Sequence, residues 1–411
     1  MSDARTTLAL PKALGLNGEK LAAYYQPIIA MDTRRIMGYE VLARAVKGDF
    51  VRSLGPFFSD ESVPDEEHIL VDRLLREQAF AKLGRTEDPP MLFINLKPSW
   101  IYRYEQSGEL FTLSLLQKYG IDPRRVVIEI TEQSFRGSME VLRTVVDLYR
   151  EQGCQIAIDD VGSGFSSFDR IAQIQPNLLK IDIHMIKKSA THDGYFGVLR
   201  SFSDMAELIG ASLLVEGVET REDLARSIQA GARYVQGFMF AKAEADFRAS
   251  DSFAAIIIEE LERHLLHHVI SERDWQVKAE QLAKKLARIR EKAGNMDDKD
   301  GWALQLLPEL DSGYIRVYLC NQDGIQLSAN YCRELDGSWR SEDQFRGANW
   351  CWRPYFVPNL VQMNEDRRSI VSRAYIDLDT HAWIRTISVL VGPGLILFAD
   401  LVDMEHGAQS F

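Results

Sequence analysis

Gln155-Ile156-Ala157-Ile158-Asp159-Asp160-Val161-Gly162-Ser163-Gly164 is an apolar run that closes on two adjacent acids and breaks at a Gly-Ser-Gly turn. Residues 155–159 read as a strand buried on both faces, because the run stays apolar until its end. The same design recurs along the chain. Apolar runs at 23–29, 38–44, 91–96, 126–130, 178–182, 212–216 and 234–238 bring the strands to eight, and stretches with helical spacing at 67–83, 139–152 and 195–209 lie between several of them. Strands alternating with helices predict an α/β fold whose parallel sheet is covered by helices. Residues 30–37, between the first two strands, are too few for a crossover helix, so that pair is expected to be antiparallel or irregular. The expected fold is therefore a (β/α)8 TIM-like barrel with an irregular or antiparallel first strand, spanning residues 1–248.

Most of these runs end in a polar side chain. In such barrels the carboxyl ends of the strands form the functional mouth. Glu40, Asn95, Glu129, Asp159, Asp160, Lys180, Asp182, Glu216 and Gln236 are thus expected to converge there. Each one alone would suit an exposed strand cap, but the full set predicts a site.

Composition limits what the site can bind. The 411 residues have a hydrophobic fraction of 46%, which suits ordinary globular packing, and their number predicts more than one domain. A formal net charge of -12 argues against a groove for polymeric nucleic acid, which needs a positive field. If the ligand is a phosphodiester, metal ions must supply the local positive charge. The start of the chain has no basic, apolar leader pattern, and the longest apolar stretch, 386–399, is too short to span a bilayer and is broken by Gly392-Pro393-Gly394. A cytoplasmic protein without a membrane span is expected. Cys154, Cys320, Cys332 and Cys351 form no CxxC pair and read as free thiols of a reducing compartment.

Carboxylates and an asparagine are oxygen donors, which suit Mg²⁺ or Mn²⁺ rather than zinc. Two such ions can activate water, neutralise the non-bridging oxygens of a phosphodiester and stabilise the leaving alkoxide. The Asp159-Asp160 pair fits this demand, since two packed like charges are costly unless cations lie between them. An adjacent acid pair is also common in exposed loops, so it argues only together with the rest.

Eight linked motifs then stand in one order. They are Tyr25-Gln26-Pro27-Ile28, Glu40-Val41-Leu42 with Ala43-Arg44, Ile94-Asn95-Leu96, Ile128-Glu129-Ile130-Thr131-Glu132, Asp159-Asp160-Val161-Gly162-Ser163-Gly164, Lys180-Ile181-Asp182, Glu216-Gly217-Val218-Glu219-Thr220 and Gln236-Gly237-Phe238. In this order and spacing the chain resembles the EAL-domain cyclic di-GMP phosphodiesterases, with the signature tripeptide written here as EVL. The resemblance implies hydrolysis of cyclic di-GMP to linear 5'-pGpG by a two-metal mechanism with Mg²⁺ or Mn²⁺. It implies that Glu40, Asn95, Glu129 and Asp159 hold one ion and that Asp160, helped by Asp182, holds the other. Glu216 would ligate metal or take the proton of the attacking water, and Lys180 would position that water. Gln26, the backbone of Leu42, Arg44 and Gln236 would meet the dinucleotide, and Glu132 and Glu219 would brace the loop after Asp160. Two positions depart from the family's pattern: Val161 stands where Phe is usual, and Ala243 where Pro is usual. Val161 opens a second reading, a cyclic di-GMP receptor with little turnover.

Beyond the barrel, 252–293 lacks Gly and Pro and repeats Ile257, Leu261, Leu265, Leu282, Leu286 and Ile289 at helical spacing, which predicts a long connecting helix able to pair with its copy in a homodimer. Connecting helix and hinge are assigned to 249–299, the hinge signal being Gly-Asn-Met-Asp-Asp-Lys-Asp-Gly at 294–301. Runs at 314–320, 325–329, 369–376, 383–391 and 395–401 predict a small antiparallel sheet in the last domain, 300–411. This part resembles a PAS or Cache sensor module, as in the YkuI-type EAL proteins. The resemblance implies a small-molecule ligand of unknown identity, for which Arg353 is a candidate clamp.

Overall fold

Side chains of a strand alternate between faces, and in a closed barrel every second one points inward. A computed structural model describes residues 10–97, 110–131, 139–162, 168–293, 297–364 and 368–403, and the chain divides into two units, Met1–His264 and Leu265–Phe411. In the first unit the strands are β1 (Lys20–Ala30), β2 (Arg35–Lys47), β3 (Phe50–Ser53), β4 (Met91–Leu96), β5 (Val126–Thr131), β6 (Gln155–Val161), β7 (Leu178–Asp182), β8 (Ser212–Glu216) and β9 (Tyr234–Gln236). The helices are α1 (Gly55–Ser59), α2 (Asp65–Leu83), α3 (Phe111–Tyr119), α4 (Met139–Glu151), α5 (Phe168–Ile174), α6 (Ile183–Ser189), α7 (Asp193–Leu208) and α8 (Arg221–Gln229).

The sheet order is β1-β9-β8-β7-β6-β5-β4-β2-β3, and β1 also pairs with β2, which closes an eight-stranded barrel. From β2 through β4 to β9 the barrel pairs are parallel, whereas β1 runs antiparallel to both β2 and β9. The expected irregular first pair is therefore an antiparallel hairpin. The strand β3 lies outside the expected set. Its hairpin partner is β2, with Lys47 opposite Phe50 across Gly48-Asp49, and Gly48 takes a φ of 59°. Such a two-residue Gly-Asp link is a legible hairpin signal.

The floor of the barrel is apolar: Ile28, Phe93, Val127, Ala157, Leu178, Leu214 and Tyr234 pack together inside it. A second, larger cluster fills the space between strands and helices, with Ile94, Ile128, Ile156, Ile181 and Val215 among its members. Two residues beyond the floor, the inward positions become Asn95, Glu129, Asp159, Lys180, Glu216 and Gln236. The switch from apolar to polar thus happens in one step of the strand period, on six strands at once.

The second unit is built on an antiparallel sheet of β10 (Tyr314–Asn321), β11 (Asn330–Arg333), β12 (Trp339–Glu342), β13 (Ser369–Val371), β14 (Tyr375–Ile376), β15 (Trp383–Gly392) and β16 (Leu395–Val402). The order is β12-β11-β10-β16-β15-β13, with β14 also on β15. The long helix α9 (Ala254–Ala293) contributes its later turns to this unit, followed by α10 (Lys299–Leu306) and α11 (Phe356–Gln362). Trp275, Ala279, Leu282, Leu286 and Ile289 of α9 pack with Trp302, Leu306, Val317, Leu319, Leu397 and Ala399 on one sheet face. Leu282, Leu286 and Ile289 are thus spent on the chain's own sheet and not on a copy of the helix.

Three other expectations are corrected here. Residues 325–329 form isolated bridges, Gln326 with Cys320 and Ile325 with Asn349, rather than a ladder strand, because Ser328 Oγ accepts from Leu319 N at 2.9 Å in place of a backbone partner before the strand resumes at Asn330. Residues 369–376 are two short strands, β13 and β14, rather than one. Residues 299–301, assigned to the hinge, are the first turn of α10, whose N-cap Asp298 accepts from Gly301 N at 2.9 Å. Among the described residues no helix is long and apolar enough to cross a membrane.

Candidate active site

At the mouth, β6 departs from regular pairing. Its register with β7 shifts between Ile158 and Val161, and Asp160 takes a φ of 59°, a left-handed conformation that a non-glycine residue adopts at some cost. A regular strand would send Asp159 and Asp160 to opposite faces. The bulge instead brings both to the mouth, where one carboxylate oxygen each from Asp159, Asp160 and Glu216 lie within 4.8 Å of one another. Asp160 N donates to Asp159 Oδ1 at 2.9 Å, which fixes the two carboxylates relative to each other.

Lys180 stands among them with no exposed surface. Its Nζ lies 2.9 Å from Glu129 Oε1, 3.0 Å from Asp159 Oδ2 and 3.3 Å from Glu216 Oε2. Burial by itself would depress the lysine's pKa, but the carboxylates of Asp159, Glu129 and Glu216 hold it well above its ordinary range. Burial also pushes Glu129 and Glu216 well above the usual carboxylate range, against the pull of Lys180. Asp159 goes the other way: burial would raise it, yet Lys180 and a hydrogen bond donated by Glu216 keep it below. Burial and the charge of Asp159 together raise Asp160.

Glu40, on β2, accepts from Asn95 Nδ2 at 3.1 Å and from Gln236 Nε2 at 2.8 Å, so both its oxygens are oriented by amides, one from the adjacent β4 and one from β9 beyond β1. Gln26 lies opposite Glu40 across the β1–β2 pair, buried, with Nε2 donating to Ala241 O at 3.2 Å. Leu42 and Arg44 follow along β2. Arg44 Nη1 donates to Ala43 O at 2.9 Å. Asp182 sits opposite Glu216 in register and serves as N-cap of α6, accepting from His184 N at 2.7 Å. Glu219 pairs with Lys187 of α6 at 3.0 Å. Glu132, expected to brace the loop, lies outside the described residues.

Two contributors were not singled out by the sequence reading. His184 meets Asp182 through its ring Nδ1 as well as through its backbone. Arg76 of α2 is buried, and its guanidinium donates to Thr112 Oγ1 at 2.6 Å and to the carbonyl of Asn95 at 3.0 Å while paired with Asp72 at 2.7 Å. It anchors the end of β4 from outside the barrel. The only sequence signal for it is a charge set among apolar neighbours in Leu74-Leu75-Arg76 and Ala79-Phe80.

The residue types fit a divalent cation. Glu129 is fully buried, and its Oε2 accepts no hydrogen bond among the described residues. Five carboxylates, Glu40, Glu129, Asp159, Asp160 and Glu216, surround one ammonium. Such a set stays together without a metal only by retaining protons, and hard cations with oxygen ligands relieve it.

Comparison with known families matches residues 8–243 to the EAL domain and residues 247–404 to the EAL-domain associated signalling protein domain. The chain belongs to the EAL domain family. It is 33% identical to the uncharacterized EAL-domain containing protein YkuI of Bacillus subtilis (strain 168) over 390 residues, 94% of this chain and 95% of that protein. The crystal structure of Bacillus subtilis YkuI, in complex with substrate c-di-GMP and calcium, aligns with a TM-score of 0.85 and 32% identity, covering 93% of this chain and 96% of that one. Over 235 residues, 56% of this chain and 58% of the relative, the identity to the cyclic di-GMP phosphodiesterase RocR of Pseudomonas aeruginosa is 34%. The acids and amides gathered at the mouth all fall within the EAL match.

Proposed function

We propose that the chain is a metal-dependent cyclic di-GMP phosphodiesterase that hydrolyses its substrate to 5'-pGpG, with residues 1–248 as the catalytic barrel, 249–299 as connecting helix and hinge, and 300–411 as a PAS/Cache-like sensor that controls it. The observation that carries the reading is the meeting of Asp159, Asp160 and Glu216 oxygens within 4.8 Å at the barrel mouth, beside buried Lys180. The relatives named for cyclic di-GMP support the substrate.

Glu40, Asn95, Glu129 and Asp159 would hold one Mg²⁺ or Mn²⁺, and Asp160 with Asp182 a second. When bound, such ions supply Lewis acidity toward the phosphodiester oxygens and a more acidic water. The chain's own residues do the rest. Glu216, at the mouth beside Lys180 and Asp159, would take the proton of the attacking water with its carboxyl ionised. Lys180, fixed by three carboxylates, steadies charge as it builds on phosphorus oxygens. Gln26, the Leu42 backbone, Arg44 and Gln236 orient the dinucleotide, Arg44 by its planar fork for phosphate. Glu132 and Glu219 brace the adjoining loop.

Incubation of pure protein with cyclic di-GMP and Mg²⁺ or Mn²⁺, followed by chromatography, is expected to yield pGpG and none with chelator. Tight binding with no pGpG after hours would overturn the reading. That result would favour a cyclic di-GMP receptor, for which Val161 argues. It is fully buried in the layer between barrel and helices, directly after the acid pair. A small misplacement of catalytic groups can cost about a hundredfold in rate. Under the receptor reading V161F raises turnover; an unchanged rate counts against it.

The same reading takes the chain as a homodimer. Leu265, Leu266, Ile270 and Val277 of α9 are exposed and support it. Sedimentation at the mass of one chain would remove that part of the proposal.

A further inference from the structure

Arg353 in the second unit is, among the described residues, a cation without an anion. It follows Trp352 in a turn in which Arg353 N donates to Trp350 O and Phe356 N to Arg353 O, both at 3.0 Å, just ahead of α11. Its guanidinium carbon lies 5.3, 5.6 and 5.2 Å from the ring centres of Trp352, Tyr355 and Tyr375. Its polar neighbours are the hydroxyls of Tyr355 and Tyr375, which burial keeps neutral. Among the described residues it pairs with no carboxylate, although the chain has 60 acidic residues. Arg316, Arg340, Arg346 and Arg385 of the same unit each meet at least one carboxylate, and Arg333, over the Trp339 ring, donates to the Tyr314 and Leu310 carbonyls.

The rings around Arg353 are fixed to the sheet. Tyr355 and Tyr375 stack with centres 5.5 Å apart and planes 22° from parallel. Tyr355 shares a hydrogen bond of 2.9 Å with the Tyr318 hydroxyl on β10. Tyr375 shares one of 2.6 Å with Thr386 Oγ1 on β15, which in turn donates to Asp400 Oδ1 on β16 at 2.7 Å. The tyrosine pair is therefore a rigid wall tied to three strands. Opposite in character is Trp352, whose ring is 63% exposed. A part-buried charge thus stands beside a fixed tyrosine wall and an open indole.

A guanidinium carries five N–H donors in one plane, more than two hydroxyls can satisfy, and aromatic faces hold it without using any of them. The ligand group that matches the remaining donors is a planar oxyanion offering two oxygens. It also supplies the countercharge that a partly desolvated cation lacks. An apolar stem on the same molecule would cover the exposed Trp352 ring.

We propose that Arg353, with Trp352, Tyr355 and Tyr375, binds a small carboxylate ligand on the second unit. The proposal gives the sensor reading above a ligand class. It depends on that reading only for the link to turnover, because binding is measured without cyclic di-GMP.

The test is calorimetric titration of the full chain, stripped of metal on a chelating resin, with sodium acetate, succinate, glutamate and phosphate, against sodium chloride of equal ionic strength. Saturable binding of at least one carboxylate is expected, weakened about tenfold or more both in R353Q and in R353K, since the ammonium keeps the charge but not the fork. Retained binding in R353K overturns the proposal, as does binding of phosphate alone, or no heat from any of the four. If R353Q does not fold, R353K and W352A decide the matter, W352A being expected to weaken carboxylates with an apolar stem more than acetate. Carboxylate binding that leaves cyclic di-GMP turnover unmoved supports the site and counts against the sensor reading, so the two fail separately.

Discussion

The Lys180 ammonium and the Glu129 carboxylate meet at 2.9 Å with neither side chain exposed to solvent. A buried pair of this kind is held less by its own attraction than by the cost of leaving either charge alone.

For K180M, the side-chain length is kept and the charge removed. Cyclic di-GMP turnover is expected to fall by about a hundredfold or more, and the metal-free protein to lose roughly 3–5 kcal/mol. Added Mg²⁺ is expected to recover more stability in K180M than in the unsubstituted chain, because a cation then takes over the neutralising role. Thermal unfolding with and without Mg²⁺ measures this; equal metal response in both proteins counts against the arrangement.

At Asp160, backbone and chemistry can be separated. D160G and D160A both remove the carboxylate, but only glycine tolerates the observed φ of 59° without strain. D160G is expected to be more stable than D160A by about 1 kcal/mol, with turnover lost in both. Denaturant unfolding of the two variants side by side gives the difference.

Gly237 is where the β9 end passes the β8–α8 loop. A Cβ there would lie 2.0 Å from Val218 O and 2.3 Å from Val218 N, both backbone atoms, and Val218 N donates to Gln236 O at 2.9 Å. G237A must part these segments, at a cost of roughly 3 kcal/mol. Gln236 would lose its aim at Glu40, so weaker cyclic di-GMP binding is expected in whatever fraction still folds. A variant with unaltered melting temperature and affinity would show the close approach to be relaxed in solution.

Acid should loosen the second unit through Asp377. Burial would raise its pKa, but the two-pronged contact with Arg316 at 2.8 and 3.1 Å and the bonds from Thr380 hold it down, to about 2. Because the folded value lies below the unfolded one, the contribution is fully present above about pH 4 and disappears as pH falls through 2. The gap between the two values corresponds to roughly 2 kcal/mol of stability. D377N is expected to cost that much at pH 7 and almost nothing near pH 2, with Asp379 and Asp400 still facing Arg316. Tryptophan fluorescence in urea reads it out, since Trp275, Trp302, Trp339, Trp350, Trp352 and Trp383, six of the seven tryptophans, belong to this unit.

The barrel and its polar mouth were legible because both follow from one rule, the two-residue alternation of strands. Phe93 to Asn95, Val127 to Glu129 and Leu178 to Lys180 are the same step repeated. Features that break the rule were not legible. The bulge that turns Asp160 toward Asp159 leaves no mark in residue order, and Arg76 reaches Asn95 from a helix with no motif attached. In the second unit, β12 alternates Trp339, Arg340, Ser341 and Glu342 at the sheet edge, too polar to announce a strand. Residues 325–329 look like a strand and form only isolated bridges, because a side-chain hydroxyl takes the place of a ladder partner for Leu319 N. Long-range hydrogen bonds decide such places, and short windows of sequence do not contain them.

The reversal of β1 has one more consequence. Against neighbours that all point their carboxyl ends at the mouth, β1 begins there and finishes on the floor, so Gln26 reaches the mouth while Ile28 is packed below. The polypeptide therefore comes into the barrel from the side of the polar mouth. Lys12–Leu14, which lead into β1, pack on that side through Leu14 against Ala45, Leu54 and Phe57. A fusion partner joined directly ahead of Lys12 would therefore start on the side of the mouth rather than the floor, and binding or kinetic measurements call for keeping that junction free.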